Sequence, residues 1–391
     1  MAPAPGGILA PEGFVAGSAA CGLKPSGALD VGLLAATGAC ASAMVTTTSA
    51  LPAAPIVRNR ERVDSARVRA VVVNSGTANA ATGSPGIDDA EAMAARAAAA
   101  LGIEADEVVV SSTGTIGDRL DRERVLGGID AAAAARGREG GEGFARAIQT
   151  TDRFDKAGAF TATLPSGATT TFGVAAKGAG MIRPGMATML AYVTTDAPVA
   201  AGDLAAATRR AGEDSFNRIS VDGQMSPSDT LLVMASGAGT PLGGEDLAGF
   251  TRALRAVCRW AALLMVKDGE GAEFVVRLLV DGAADPGEAE VVARAVADSP
   301  LVRTAVHGRD PNWGRVSQAV GQALAGRGGP EATLAIAADG VSIADPAVAE
   351  VMARPEYELR VSLGRGDADA AEVLFCDLGH AYVTLNAEYT T

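Results

Sequence analysis

The chain has 391 residues, of which 48% are hydrophobic and only 4% aromatic, and it carries a formal net charge of −13 at pH 7. This length suffices for two or three domains with cores of Ala, Val and Leu, and the hydrophobic content excludes a disordered protein. Nucleic-acid binding is disfavoured because phosphate contacts need clustered Lys and Arg. The composition favours a protein that handles small molecules.

Nothing near the start of the chain predicts export or membrane insertion. The first lysine is Lys24, after a Pro/Gly-rich start, so we expect no secretory leader. The longest weakly charged run, residues 31–57, is interrupted by Thr, Ser, Gly and Pro and is not expected to span a membrane. The cysteines are far apart, without a C-x-x-C pair, which favours reduced thiols in a cytoplasmic protein.

Two predicted strands in the first half end in small, polar residues. Residues 67–74 lead into N-S-G-T-A-N-A-A-T-G, and residues 107–111 lead into S-S-T-G-T-I-G. An alanine-rich helix is predicted over 87–101, with acidic residues in its first turn favouring the helix dipole. The two polar segments are either ordinary turns or a cradle of donors at one end of a sheet, where α/β folds place ligands.

The middle of the chain is predicted to form helices over 120–136 and 144–151 and a hairpin of residues 160–164 and 169–176. The hairpin leads to K-G-A-G-M-I-R-P-G-M-A-T-M-L, residues 177–190. Gly and Pro favour a loop at first, and the apolar run from Met189 favours a buried strand. Thr188 at this junction is either a β-branched residue that opens a strand or a hydroxyl at the edge of a cavity.

The second half contains the clearest helical pattern, with apolar residues at three- and four-residue steps from Leu247 to Leu264. It leads to K-D-G-E-G-A, where Glu270 opposes the helix dipole and is either a solvated end or a site carboxylate. A strand over 274–280, a helix over 286–296 and a loop over 306–315 follow. We predict a main domain, 1–273, and a smaller α/β domain, 274–391.

The usual catalytic bases are scarce. Only His307 and His380 exist, without zinc-ligand spacing, a G-x-S-x-G elbow or a P-loop. A remaining route is a threonine whose own α-amine, with a pKa of about 7.7–8.0, serves as base. Because the chain begins with Met1, internal cleavage would have to expose Thr188 as an N-terminus.

Several segments together resemble the ornithine acetyltransferase family, the bifunctional glutamate N-acetyltransferase of arginine biosynthesis. These segments are K-G-A-G-M-I-R-P-G-M-A-T-M-L, V-V-N-S-G-T-A-N-A-A-T-G, S-S-T-G-T-I-G, T-T-D, K-D-G-E-G-A, S-P-L-V-R-T-A-V-H-G-R-D-P-N-W-G-R and the terminal N-A-E-Y-T-T. The resemblance implies an α/β (α+β) fold with a layered αββα core, like that of N-terminal-nucleophile aminopeptidases.

The resemblance also implies a reaction. Cleavage between Ala187 and Thr188 would give chains of residues 1–187 and 188–391, assembled as an α2β2 heterotetramer. Thr188 would carry acetyl from N2-acetyl-L-ornithine to L-glutamate by a ping-pong mechanism, with Thr113 and Gly114 as oxyanion hole. The substrate-binding positions implied are Thr150, Lys177, Thr188, Glu270, Asn386 and Thr391, with Thr151 as an alternative to Thr150. No metal, bound cofactor, nucleic acid or membrane is implied, and acetyl-CoA would enter only as a substrate.

Two departures from the family pattern leave the substrate open. Pro227-Ser228 stands where the family usually shows Thr-Asn, and Thr77 where N-S-G-N-A-N-A is usual. Both are compatible with a paralogue acting on another N-acyl amino acid. The sequence is also compatible with a hydrolase of the same fold, in which water replaces glutamate, and with an uncleaved ligand-binding protein.

Overall fold

The computed structural model describes residues 1–183 and 189–388. Over these residues the strands are β1 (Ala2–Ala4), β2 (Phe14–Ala19), β3 (Val31–Ala36), β4 (Ala41–Thr46), β5 (Ala70–Thr77), β6 (Val108–Thr115), β7 (Lys156–Thr163), β8 (Thr169–Lys177), β9 (Leu190–Thr195), β10 (Ile219–Ser220), β11 (Thr230–Ala235), β12 (Val275–Asp281), β13 (Ala335–Ala338), β14 (Val341–Ser342), β15 (Glu356–Ser362) and β16 (Ala371–Cys376). The α-helices of the same residues are α1 (Ala54–Arg62), α2 (Gly83–Leu101), α3 (Arg122–Ala134), α4 (Gly141–Ala147), α5 (Ala201–Glu213), α6 (Gly244–Lys267), α7 (Pro286–Asp298), α8 (Pro300–His307), α9 (Trp313–Leu324), α10 (Val348–Met352) and α11 (His380–Glu388).

Two sheets stack face to face and helices cover their outer faces. The first sheet has the order β1-β7-β8-β9-β11-β4 and the second the order β2-β3-β5-β6. Along β11, Leu232 packs toward the second sheet while its neighbours Leu231 and Val233 pack toward α5 and α6, as the two-residue period of a strand requires. Helices α2 and α3 cover the second sheet. This αββα arrangement confirms the predicted fold class.

A third sheet has the order β10-β16-β12-β15-β13-β14 and packs on α7, α8 and α9. Its strand β10 precedes residue 274 and pairs in parallel with β16. The division of the chain into domains 1–273 and 274–391 stays a prediction. Among the described helices, none combines the length and the apolar character that crossing a bilayer requires.

Several local predictions are confirmed and others are wrong. Strands β7 and β8 form the predicted hairpin, turning at residues 165–167. Helix α2 starts at Gly83, so the acidic residues predicted for its first turn lie beyond it. Two of these acidic residues form tertiary ion pairs instead. Buried Asp89 pairs with Arg119, and Glu91 pairs with buried Arg58.

The predicted loop over 306–315 is shorter in the structure, where residues 308–312 separate two helices. Helix α8 runs to His307, and α9 begins at Trp313, where the side chain of Asn312 accepts a hydrogen bond from the Arg315 amide over 3.2 Å. Strand β4, in the segment with little charge, and helix α1, which begins near the end of that segment and continues into charged residues, were not predicted. Burial in the folded protein stabilises these two elements. Their local periodicity is too weak to predict them from the sequence.

Candidate active site

A cavity of about 390 Å³ lies where the ends of β6 and β8, the segment after α6, and α11 meet. All six described residues predicted for the site line it: Thr113, Gly114, Thr150, Lys177, Glu270 and Asn386. Thr151 also lines it. The other predicted residues, Ala187, Thr188 and Thr391, lie outside the described residues.

Thr113 and Gly114 reach the cavity because two parallel strands end side by side. Strands β5 and β6 pair in parallel, with Gly76 opposite Gly114. Gly114 has φ of +133°, and a Cβ there would lie 2.2 Å from the carbonyl carbon of Gly76, so only glycine fits. The strands extend into the first part of the two polar segments, as far as Thr77 and Thr115, and the polar end of β6 lines the cavity.

Glu270 is held from three sides. Its Oε1 accepts a hydrogen bond from the Thr151 hydroxyl over 2.8 Å, and its Oε2 accepts one from the Asn386 amide over 2.9 Å. Its backbone N–H donates to the Ala179 carbonyl over 2.8 Å. A Cβ on Gly180 would lie 2.4 Å from the carboxyl carbon. Glu270 is therefore a fixed carboxylate in the cavity wall, which answers the question left by its place after α6.

Lys177, at the end of β8, supplies a buried ammonium. Its Nζ donates to Thr150 Oγ1 over 3.1 Å, and only 2% of the residue is exposed. Burial lowers the pKa of Lys177, whereas Asp152, Asp229 and Glu270 oppose the shift by favouring the charged form. Thr150 and Thr151 thus have separate contacts, the first with the lysine and the second with Glu270.

The structure adds two carboxyl groups that sequence reasoning did not single out. Asp222 accepts hydrogen bonds from the Ile182 amide over 2.9 Å and from the Tyr382 hydroxyl over 3.4 Å. Burial raises the pKa of Asp222. Asp229 is fully buried, and its Oδ1 accepts the Met189 amide over 2.8 Å. Burial raises the pKa of Asp229 well above its usual range. Their only sequence signal was two acids in the polar segment before β11.

The two segments that depart from the family pattern form one end of the cavity. Ala78, next to Thr77, packs in a small apolar cluster with Ala53 and Ile116. The Ala53 amide donates to the Pro227 carbonyl over 2.9 Å. Ala78, Ile116 and Pro227 all line the cavity. Pro227 therefore lies in the same cavity wall as Ala78, the neighbour of Thr77, although the two departures are 150 positions apart in the chain.

No histidine is among the described residues that line the cavity. His307 is paired with buried Asp377, with 2.7 Å between Nδ1 and Oδ2. A Cβ on Gly379 would lie 2.5 Å from the His307 ring, so the imidazole packs against the residue that precedes α11. This histidine supports the helix that carries Asn386.

Comparison with known proteins places the chain in a family. The model of the ArgJ family matches residues 15–391. The arginine biosynthesis bifunctional protein ArgJ of Symbiobacterium thermophilum is 44% identical over 99% of each chain. Its counterpart in Geobacter sulfurreducens is 42% identical over 97% of this chain and 99% of that one.

Solved structures also match. An ornithine acetyltransferase from Mycobacterium tuberculosis, crystallised with ornithine, is 37% identical, with a TM-score of 0.42, and covers 47% of this chain and 96% of that one. An L-aminopeptidase D-Ala-esterase/amidase from Ochrobactrum anthropi is 11% identical, with a TM-score of 0.44, over 69% of this chain and 88% of that one.

The fold and the family match define an enzyme of amino-acid biosynthesis. The chain belongs to the ArgJ family, and it acts in arginine biosynthesis.

Proposed function

We propose that the enzyme moves acetyl from N2-acetyl-L-ornithine to L-glutamate through an acetyl ester on Thr188. The observation that carries the proposal is the convergence of a fixed carboxylate, a buried ammonium and the Thr113–Gly114 strand end on one cavity. Such a cavity suits a zwitterionic amino acid with a second charged group.

The reaction proceeds in two acetyl transfers, first from acetylornithine to Thr188 and then from Thr188 to glutamate. Thr188 Oγ attacks the acetyl carbonyl while the Thr188 α-amine takes its proton. The Thr113 hydroxyl and the Gly114 N–H stabilise the oxyanion. The amide C–N bond breaks, the proton passes to the departing ornithine amine, and acetyl-Thr188 remains. The glutamate amine then attacks this ester, releasing N-acetylglutamate and restoring the threonine hydroxyl.

Charge explains how the cavity binds the carboxylate that both amino acids share and the distal ammonium of ornithine. Lys177 faces the α-carboxylate that ornithine and glutamate share, next to Thr150. Glu270 binds the distal ammonium of ornithine. Thr151 and Asn386 donate to Glu270 and fix its carboxylate in this position. Thr391 is assigned to the substrate site on the family resemblance alone.

We also propose how the enzyme matures, how its chains assemble and where it works. The precursor cuts itself between Ala187 and Thr188, its two chains form an α2β2 heterotetramer, and the enzyme works in the cytoplasm. It uses neither a metal nor a bound cofactor. Acetyl-CoA is a further substrate when the enzyme starts the cycle by acetylating glutamate.

Ornithine release from acetylornithine, measured with and without glutamate, tests the reaction. We expect release to require glutamate and to yield N-acetylglutamate in equal amount. Release at the same rate without glutamate would instead establish a hydrolase. A ligand-binding protein would release nothing and would run as one intact band on a denaturing gel.

A second candidate is the transfer of acyl from another N-acyl amino acid. The apolar wall of Ala78, Ile116 and Pro227 favours it, because Pro227 is one of the departures from the family pattern and Ala78 is the neighbour of the other, Thr77. Measuring kcat/KM for a series of N-acyl donors decides between the two. Acetylornithine should have the highest kcat/KM. A tenfold higher kcat/KM for a different N-acyl amino acid would identify that compound as the donor instead.

A further inference from the structure

Behind the cavity lies a buried ion cluster that the proposed reaction does not use. Lys156 pairs through Nζ with the carboxylates of Asp152 and Asp268, and all three side chains have no exposed surface. Arg153 reaches Asp268 from the protein surface over 3.0 Å. Two buried carboxylates compensate the charge of the buried ammonium. A single buried charge without such partners would be strongly destabilising.

This cluster joins the chain segments that carry the substrate residues. Asp152 Oδ2 accepts the Thr150 amide over 3.0 Å, and Asp152 Oδ1 accepts the Gly178 amide over 2.9 Å. One carboxylate therefore holds the backbone on both sides of the contact between Thr150 and Lys177. Asp268, the other carboxylate of the cluster, lies two residues before Glu270.

Asp152 also places a negative charge near Lys177, behind the cavity wall. Asp152, Asp229 and Glu270 favour the charged form of Lys177, whereas the ammonium group of Lys156 opposes it. Burial lowers the pKa of Lys177, and Asp152 is the strongest influence in the opposite direction. Burial raises the pKa of Asp152, but Lys156 and Lys177 outweigh it and hold that pKa below its usual value. Asp152 is thus an anion beside the substrate-facing lysine.

We propose that Asp152 is a positioning residue that aligns Thr150 and Lys177 for the substrate carboxylate. The inference rests on the proposed function, in which Lys177 binds that carboxylate. Asp152 itself does not line the cavity, so it acts through its two neighbours.

The test is the variant Asp152→Asn, which keeps the size of the side chain and removes its charge. We expect KM for acetylornithine and for glutamate to rise at least tenfold, while kcat falls less than threefold. The rise of KM with pH should begin at lower pH than in the wild type, because Lys177 loses its proton more readily. Asp155→Asn, three residues along on the surface, is the matched control and should change neither value more than twofold.

Unchanged KM values and an unchanged pH dependence in a folded Asp152→Asn enzyme would overturn the inference. A lower kcat at constant KM would also overturn the inference, because it signals only a smaller fraction of folded enzyme. If this variant does not fold, Asp152→Asn combined with Lys156→Met removes one charge of each sign and should show the same KM defect.

Calorimetric titration with ornithine separates this inference from the proposed function. No binding by the wild type would count against the proposed function itself. Binding by the wild type that is equally tight in the Asp152→Asn variant would refute only the positioning role. We expect ornithine to bind the wild type and to bind the variant at least tenfold more weakly.

Discussion

Asn386 donates a hydrogen bond from Nδ2 to Glu270 Oε2 over 2.9 Å, joining the C-terminal helix α11 to the segment after α6. The carboxylate is also bound by Thr151, so its position depends on chain segments far apart in sequence. Glu270 is therefore both an anchor of α11 and the negative pole of the cavity.

Replacing Glu270 by Gln keeps the shape of the side chain and removes its charge. A hydrogen bond to a charged group contributes about 1.5–3 kcal/mol, so KM for acetylornithine should rise roughly ten- to a hundredfold. Steady-state kinetics measure the effect. Glu273→Gln, an exposed neighbour, serves as control and should behave as the wild type. Equal KM values in both variants would contradict the role of Glu270.

Gly180→Ala should displace the same carboxylate without altering its charge. The new Cβ would lie 2.4 Å from the Glu270 carboxyl carbon, which is closer than van der Waals contact allows. We expect weaker binding of acetylornithine, measured as a higher KM. Gly202→Ala, where a Cβ would meet no atom within 4 Å, should leave KM unchanged. A Gly180→Ala enzyme with normal KM would show that Glu270 tolerates displacement.

Thr113→Val removes the proposed oxyanion hydroxyl from a buried position with little change in size. Loss of one such donor typically lowers kcat about 100- to 1,000-fold. KM should change much less, because the donor acts on charge that develops during the reaction. A rapid-quench assay of acetyl-enzyme formation checks this. A kcat within threefold of the wild type would exclude Thr113 from the oxyanion hole.

Thr188→Ala should be neither cleaved nor active, since it lacks the attacking hydroxyl. It should run as a single 39.0 kDa band, whereas the wild type should give two bands near half that mass. Thr188→Ser keeps a hydroxyl and should still be cleaved. Normal cleavage of Thr188→Ala would show that the bond between Ala187 and Thr188 is not the one cut.

Asp229→Asn should change how stability depends on pH. Burial raises the pKa of Asp229 well above 3.8, so the folded protein binds a proton that the unfolded chain releases. This contribution to stability is complete below the unfolded pKa and is lost as pH rises through the folded pKa. Asparagine retains the acceptor for the Met189 amide and does not titrate.

Thermal melts over a range of pH check this expectation. The Tm of Asp229→Asn relative to the wild type should increase as pH rises above about 4, the ordinary pKa of an aspartate. The exposed Asp118→Asn variant should melt in parallel with the wild type at every pH. A constant difference between Asp229→Asn and the wild type would show that Asp229 does not titrate in this range.

Local patterns in the sequence determined the elements and the candidate residues. The β-branched run of β5, the β7–β8 hairpin and the apolar face of α6 could be read from neighbouring residues, since periodicity and turn chemistry act over short distances. Thr188 and Glu270 were candidates from the residues alone, the family resemblance supplied the other positions, and the described ones line one cavity. Thr188 remains a prediction from the sequence.

Tertiary structure alone decided how those residues meet and what supports them. The parallel pairing of β5 and β6 places two polar strand ends at one edge, and α11 returns Asn386 to Glu270. The roles of Asp152 and Asp229 emerged only from the structure. In the sequence they are ordinary acids in polar segments, because desolvation and charge pairing depend on what is packed around a group in the folded protein rather than on its neighbours along the chain.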